Sequence, residues 1–180
     1  LKKITFVVGG CRSGKSRHAQ NLAEAAAQTR RIYIATCIPY DDEMKDRIIR
    51  HQNDRDRSWH TVEAPVALPE AVADAGKTAN VVLVDCLTLW TTNLLLTPET
   101  SDRIDRYVRD LTDALDDASC PLILVSNEVG AGIVPENPLA RRFRDVMGIV
   151  NQRVAACADE VVWTVAGIPV IIKKAESAMP

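Results

Sequence analysis

The chain has 180 residues, 47% of them hydrophobic, which is enough apolar material for one domain with a sizeable core. Its 22 basic and 24 acidic residues leave a formal net charge of −2. This excludes a global pull toward nucleic acid or an anionic membrane, so any anion site has to be local. Cys11, Cys37, Cys86, Cys120 and Cys157 are odd in number and form no C-x-x-C pair, which argues against a disulfide framework or a zinc ribbon and for reduced thiols in the cytoplasm.

Taken in order, the elements begin with Ile4-Thr5-Phe6-Val7-Val8, read as a short buried strand. Leu1-Lys2-Lys3 leads straight into it, so no secretory signal is expected there. No apolar run approaches the roughly 18 residues that cross a bilayer, and no membrane insertion is expected. Helices are predicted over 15–29, 41–56, 66–75, 87–96, 102–118 and 138–157, with Ser101 or Asp102 as N-cap of the fifth. Further strands are predicted at Arg31–Ala35, Trp59–Val62, Val81–Val84, Leu122–Val125, Val161–Val165 and Val170–Ile172. Continuous apolar runs with polar residues just past their C-terminal ends are the pattern of buried parallel strands. The last two strands are close enough to form an antiparallel hairpin at the sheet margin. The expected fold is a three-layer α/β domain of the P-loop class over 1–174, with a frayed tail at 175–180.

Gly9-Gly10-Cys11-Arg12-Ser13-Gly14-Lys15-Ser16 lies between the first strand and the first helix and matches G-x-x-x-x-G-K-[ST]. In that setting successive backbone N–H groups wrap a polyphosphate at a helix N-terminus. Lys15 reaches the β- and γ-phosphates, and the Ser16 hydroxyl ligates Mg²⁺. Asp85, at the end of Val81–Val84, stands where a P-loop protein places its second Mg²⁺-organising carboxylate; the alternative is a helix N-cap.

In the segment 41–55, Arg47, His51 and Arg55 recur at i, i+4 and i+8 and share one helical face. Two guanidiniums beside an imidazole suit phosphate binding and disfavour imidazolium, leaving the ring able to act as nucleophile or base. The same spacing also suits a solvated face with a surface histidine. His18 lies on the helix behind the loop, and His60 beside Trp59 reads as a packing residue. The Gly- and Pro-rich loop 127–138 starts at a strand C-terminus, where loops often cover a substrate. Arg141, Arg142 and Arg144 follow, and an exposed face or subunit contact weighs equally with substrate phosphate binding.

Several segments together resemble the bifunctional adenosylcobinamide kinase/adenosylcobinamide-phosphate guanylyltransferase family of cobalamin biosynthesis. They are GGCRSGKS at 9–16, IATC at 34–37, DDEMKDRIIRH at 41–51, WHTVEAP at 59–65, VDCLTLWTTNLL at 84–95, NEVGAGIVPENPLARRFRD at 127–145, GIVNQRVAACADEV at 148–161 and AGIPVIIK at 166–173. The resemblance implies two reactions with ATP or GTP and Mg²⁺. A γ-phosphoryl group passes to the side-arm hydroxyl of adenosylcobinamide. GMP then passes from GTP, through a GMP-histidine intermediate on His51, to adenosylcobinamide phosphate. It also implies nucleotide contacts at Gly9, Gly10, Cys11, Arg12, Ser13, Gly14, Lys15, Ser16, Ala35, Thr36, Cys37, Gln52, Asn53, Asp54, Arg55, Glu63 and Asp85, a RecA-like core and a homotrimer.

Guanine preference rests on the resemblance alone, since the chain has no N-K-x-D motif. Transfers at two different phosphorus atoms require the triphosphate or the helix bearing His51 to shift, so residues 38–58 are expected to close on GTP. With aromatics at 4%, a corrin-stacking platform within one subunit is not expected. The competing readings are a single-activity small-molecule kinase with a structural His51, and a nucleotide-driven switch or assembly ATPase.

Overall fold

The structure is a computed structural model that describes residues 2–39, 42, 55, 56 and 58–174. Apart from positions 42, 55 and 56, the helix expected over 41–56 lies outside the described residues. Among the described residues seven strands form one sheet: β1 (Ile4–Gly9), β2 (Arg31–Ala35), β3 (Trp59–Glu63), β4 (Val81–Asp85), β5 (Leu122–Asn127), β6 (Glu160–Val165) and β7 (Ile168–Lys174). Their order is β3-β2-β4-β5-β1-β6-β7. All neighbours are parallel except β6 and β7, which form the expected antiparallel margin.

Among the described residues the helices are α1 (Lys15–Ala26), α2 (Leu68–Thr78), α3 (Leu87–Leu96), α4 (a single turn, Pro98–Ser101), α5 (Ile104–Asp117) and α6 (Pro138–Cys157). Strand alternation divides the apolar side chains between two layers. Phe6, Ile34, Val84 and Leu124 face one core, shared with Leu68 and Val72 of α2, Trp90 of α3, Leu111 of α5 and Met147 of α6. Val7, Leu83 and Val125 face a second, closed by Ala19 and Ala23 of α1. Two small residues let α1 lie close to the strands, which sets the height at which its N-terminus meets the sheet edge. No described helix is long and apolar enough to cross a membrane.

The expected boundaries shift where side chains intervene. α1 stops at Ala26, because Ala27 turns extended and its carbonyl accepts from the Arg31 Nε at 2.6 Å. The expected break at 97–101 holds a helical turn started by Pro98, which is pre-organised for a first helical position. Ser101 and Asp102 therefore do not cap α5; Arg103 takes the cap position without a side-chain bond. Asp85 does not cap α3 either, since it remains in β4 and Cys86 is the cap residue.

Trp90 is fully buried and donates its indole N–H to the Val66 carbonyl at 2.9 Å. Truncating it leaves both a cavity and an unpaired carbonyl. Trp90→Ala should lower unfolding free energy by about 3–5 kcal/mol in a denaturant titration, with little change in the slope.

Candidate functional site

Parallel strands deliver their C-terminal residues to one edge. Along it the register sets Glu63 and Asp85 on either side of Ala35, and Asn127 and Thr164 on either side of Gly9. The phosphate loop rises from this edge between β1 and α1.

Gly9 has no room for a side chain. A Cβ there would lie 2.5 Å from the Thr164 carbonyl oxygen and 2.6 Å from the Ser13 Oγ. Gly14 sits at φ +90°, a left-handed conformation that L side chains rarely adopt. Arg12 is also left-handed, at φ 54°. The loop is tied at three places. Ser13 N–H donates to the Gly10 carbonyl at 3.3 Å, Gly167 N–H to the Ser13 carbonyl at 3.0 Å and Glu128 N–H to the Gly9 carbonyl at 3.1 Å. Lys15 is buried and folds back to donate to the Gly10 carbonyl at 3.3 Å.

The first turn of α1 contains no acidic residue, and Gly14 supplies no side-chain cap. Its leading N–H groups and the positive end of the helix dipole therefore face the loop without a competing carboxylate. Among the described residues, no three of His, Cys, Asp or Glu gather as a metal cluster. Mg²⁺ takes one or two protein ligands and the rest from phosphate and water, so one hydroxyl and one carboxylate would suffice to hold it. The Ser16 hydroxyl and the Asp85 carboxylate are the residues that fit the part.

The remaining expected residues have different standings. Ala35 ends β2. Thr36 is fully buried; its hydroxyl donates to the Cys86 carbonyl at 2.7 Å and accepts from the Cys86 N–H at 2.9 Å. Asn93 also donates to the Thr36 carbonyl, at 2.8 Å, and to that of Pro65 at 2.8 Å. The Thr36 side chain thus joins β2 to the start of α3. Cys37 is half-buried, and Glu63 is exposed at the end of β3. Arg47, His51, Gln52, Asn53 and Asp54 lie outside the described residues. His60 is exposed rather than packed, because the Tyr33 ring contact is made by Trp59.

Burial raises the Tyr33 hydroxyl well above an ordinary phenol; the Asp85 charge adds to the rise and the Arg55 guanidinium opposes it. Burial also pushes the Cys86 thiol up to about 11, again helped by Asp85. Both groups are neutral at physiological pH.

Arg141 and Arg142 are exposed on α6, as one of the two expectations has it, and the three arginines also make contacts within the chain. Arg141 donates to the Pro135 and Glu136 carbonyls at 3.0 and 2.6 Å, and Arg144 donates to the Gly130 carbonyl. Arg142 donates to the Ser101 carbonyl at 2.8 Å and lies 3.6 Å from Asp102. These guanidiniums brace the loop and the α4–α5 connection. Their only sequence signal was charge, which does not distinguish a carbonyl from a phosphate as acceptor.

Sequence reasoning also missed Thr164 and Gly167, the residues of β6 and the β6–β7 turn that press on the phosphate loop. The positive φ of Gly167, +82°, leaves a glycine as its only local signal.

A family model described as cobinamide kinase / cobinamide phosphate guanyltransferase matches residues 5–172. The chain is 44% identical to the bifunctional adenosylcobalamin biosynthesis protein CobU of Salmonella typhimurium, over 94% of this chain and 99% of that protein. It is 42% identical to the bifunctional adenosylcobalamin biosynthesis protein CobP of Pseudomonas aeruginosa, over 93% of this chain and 96% of that one. Among solved structures it is similar in fold to a KaiC-like protein of Pyrococcus horikoshii, with TM-score 0.58 and 13% identity over 99% of this chain and 82% of that one. The flagellar accessory protein FlaH of Methanocaldococcus jannaschii gives 0.55 and 14% over 96% and 79%. These two likenesses bear on the fold alone and agree with the RecA-like P-loop arrangement.

Gly9 and Gly10 make a controlled comparison, since a Cβ at Gly10 would meet nothing within 4 Å. Gly9→Ala should weaken GTP binding at least about 10-fold in a fluorescence titration, whereas Gly10→Ala should stay within about threefold of wild type.

Proposed function

Because the chain belongs to the cobinamide kinase / cobinamide phosphate guanyltransferase family, we propose that it carries out both reactions at the phosphate-loop edge. In the first, the side-arm hydroxyl of adenosylcobinamide attacks the γ-phosphorus of ATP or GTP. The bond to the β-phosphate oxygen breaks, the hydroxyl proton is lost and a nucleoside diphosphate leaves. In the second, an imidazole nitrogen of His51 attacks the α-phosphorus of GTP and expels pyrophosphate. A phosphate oxygen of adenosylcobinamide phosphate then attacks the same phosphorus, the P–N bond breaks and adenosylcobinamide-GDP is released. The covalent route divides one difficult displacement into two.

The observation that carries the nucleotide reading is the Gly9–Ser16 loop, braced by Thr164 and Gly167, at the uncapped N-terminus of α1. In this reading Lys15 and the loop N–H groups hold the triphosphate and offset its charge in both steps. Ser16 and Asp85 hold Mg²⁺, which neutralises phosphate charge when bound. Gln52, Asn53, Asp54, Arg55 and Glu63 contact the nucleotide, and loop 127–138 covers the acceptor.

The proposed partners are two further copies of the chain. Support comes from the β6–β7 margin, where Trp163, Ile168, Ile171 and Ile172 are all exposed, at 45, 64, 56 and 59%. An apolar strand pair with a free edge is the kind of surface that self-association covers. The proposed location is the cytoplasm, in keeping with five cysteines of which none is in a disulfide.

GTP labelled at the α-phosphate tests the chemistry. Wild-type protein should take up an acid-labile, alkali-stable label that moves to the corrinoid when adenosylcobinamide phosphate is added, and His51→Ala should take up none. Absence of label on wild type would remove the guanylyl transfer and leave a kinase. Lys15→Ala should reduce both activities by at least about 100-fold, because both need the triphosphate held. For the assembly, Ile171→Asp should convert the oligomer to monomer in sedimentation; an unchanged mass would count against the β6–β7 interface.

A further inference from the structure

Side chains alternate along β2, so Ile32 and Ile34 pack toward the α2 side while Arg31, Tyr33 and Ala35 face the α1 side. On that side α1 lies over β1, β4 and β5. The outer strands β2 and β3 carry a row of cations and rings there. The Arg55 guanidinium carbon lies 3.7 Å from the centroid of the Tyr33 ring. The Tyr33 ring meets the Trp59 ring edge-on, with centroids 6.4 Å apart. Arg31 lies over Trp59 at 5.7 Å.

The Arg31 end of this row is pinned. Buried Arg31 donates to the Ala27 carbonyl at 2.6 Å, to the Ser58 Oγ at 2.8 Å and to the Asp56 carboxylate at 3.4 Å. The other end points to the site. Tyr33 is two residues from the end of β2, in register with Leu83, and Asp85 follows two residues on in β4. Arg55 is half-exposed above that buried ring. With its carbon over the ring and one hydrogen bond to the Tyr33 hydroxyl, the guanidinium has further N–H donors for the forked contact that matches a phosphate.

We propose that Tyr33 is a positioning residue for nucleotide binding and guanylyl transfer, its ring holding the Arg55 guanidinium in the plane from which it grips the triphosphate. This rests on the two-step reading above and adds to it a residue outside the nucleotide contacts that the family resemblance implies. Arg55 follows His51 by four positions in the chain, and the rate of labelling tests whether the ring-held guanidinium also serves the step at the α-phosphate. Arg55 also hydrogen-bonds the Tyr33 hydroxyl; the positioning is assigned to the aromatic face, and removal of the hydroxyl alone separates the two contacts.

The test compares Tyr33→Phe, Tyr33→Leu, Arg55→Met and Tyr33→Leu/Arg55→Met by calorimetric titration with GTP and Mg²⁺ and by the rate of labelling from α-labelled GTP. Tyr33→Phe should stay within about threefold of wild type in both. Tyr33→Leu and Arg55→Met should each raise the GTP dissociation constant on the order of 10-fold and slow labelling at saturating GTP by a comparable factor. The double variant should be no worse than either single one, because the two residues act as a unit. A purely structural Tyr33 would instead lower thermal stability in Tyr33→Leu and leave GTP binding by the folded protein intact, which overturns the proposal. Losses that multiply in the double variant, or a Tyr33→Phe as impaired as Tyr33→Leu, would overturn it too.

Should Tyr33→Leu fail to fold, Arg55→Lys decides. It keeps the charge but not the planar fork, and full retention of GTP binding sinks the idea. If wild-type protein binds GTP but takes no label, guanylyl transfer falls, while the Tyr33–Arg55 pairing is still judged by the dissociation constants.

Discussion

The close approach of three backbone segments at Gly9 governs the rest of this molecule. β1 lies between β5 and β6, and at its last residue the Thr164 carbonyl stands where a side chain would begin. That contact presses the phosphate loop against β6, and the Gly167 N–H then holds the Ser13 carbonyl from the β6–β7 turn. With both ends of the loop set, α1 must leave the sheet with its unpaired N–H groups facing the same edge. The anion cradle is thus a product of sheet packing as much as of the loop's own glycines.

The edge also gathers the other groups. Six parallel strands end there, and Glu63, Ala35 and Asp85 come side by side through register alone. The buried tie among Thr36, Cys86 and Asn93 keeps the ends of β2 and β4 and the start of α3 together. Asp85 thereby stays at the end of β4, at the sheet edge, and does not cap α3. Burial, with the Asp85 carboxylate adding to it, keeps the neighbouring Tyr33 and Cys86 protonated.

Legibility followed the range of the interactions. The apolar runs of β1, β2, β4 and β5 were readable because a strand buried on both faces has to be apolar throughout. α3 and α6 were read to the residue, α6 because Pro138 and an Asn137 cap, which accepts from the Ala140 N–H at 3.1 Å, mark its start. The turn at Pro98–Ser101 was read as a plain break, since proline signals a helix start and a loop equally well. The Arg141–Arg144 cluster was ambiguous for a deeper reason. A guanidinium is satisfied by a carbonyl, a carboxylate or a phosphate, and composition does not say which one the fold brings near.

The sequence by itself determined that a phosphate-loop motif stands in a strand-loop-helix setting, that the sheet is mostly parallel, and which family the chain joins. Those conclusions rest on patterns local to a few residues, or on many such patterns in fixed order. Only the tertiary structure decided that Thr164 and Gly167 seat the loop, that arginines of α6 brace loop 127–138, and that Arg55 lies on the ring of Tyr33. Each of these joins elements through the packing of the sheet and its neighbours. The pairing of Gly9 with Thr164 spans most of the chain, and no local periodicity encodes a contact between segments so far apart.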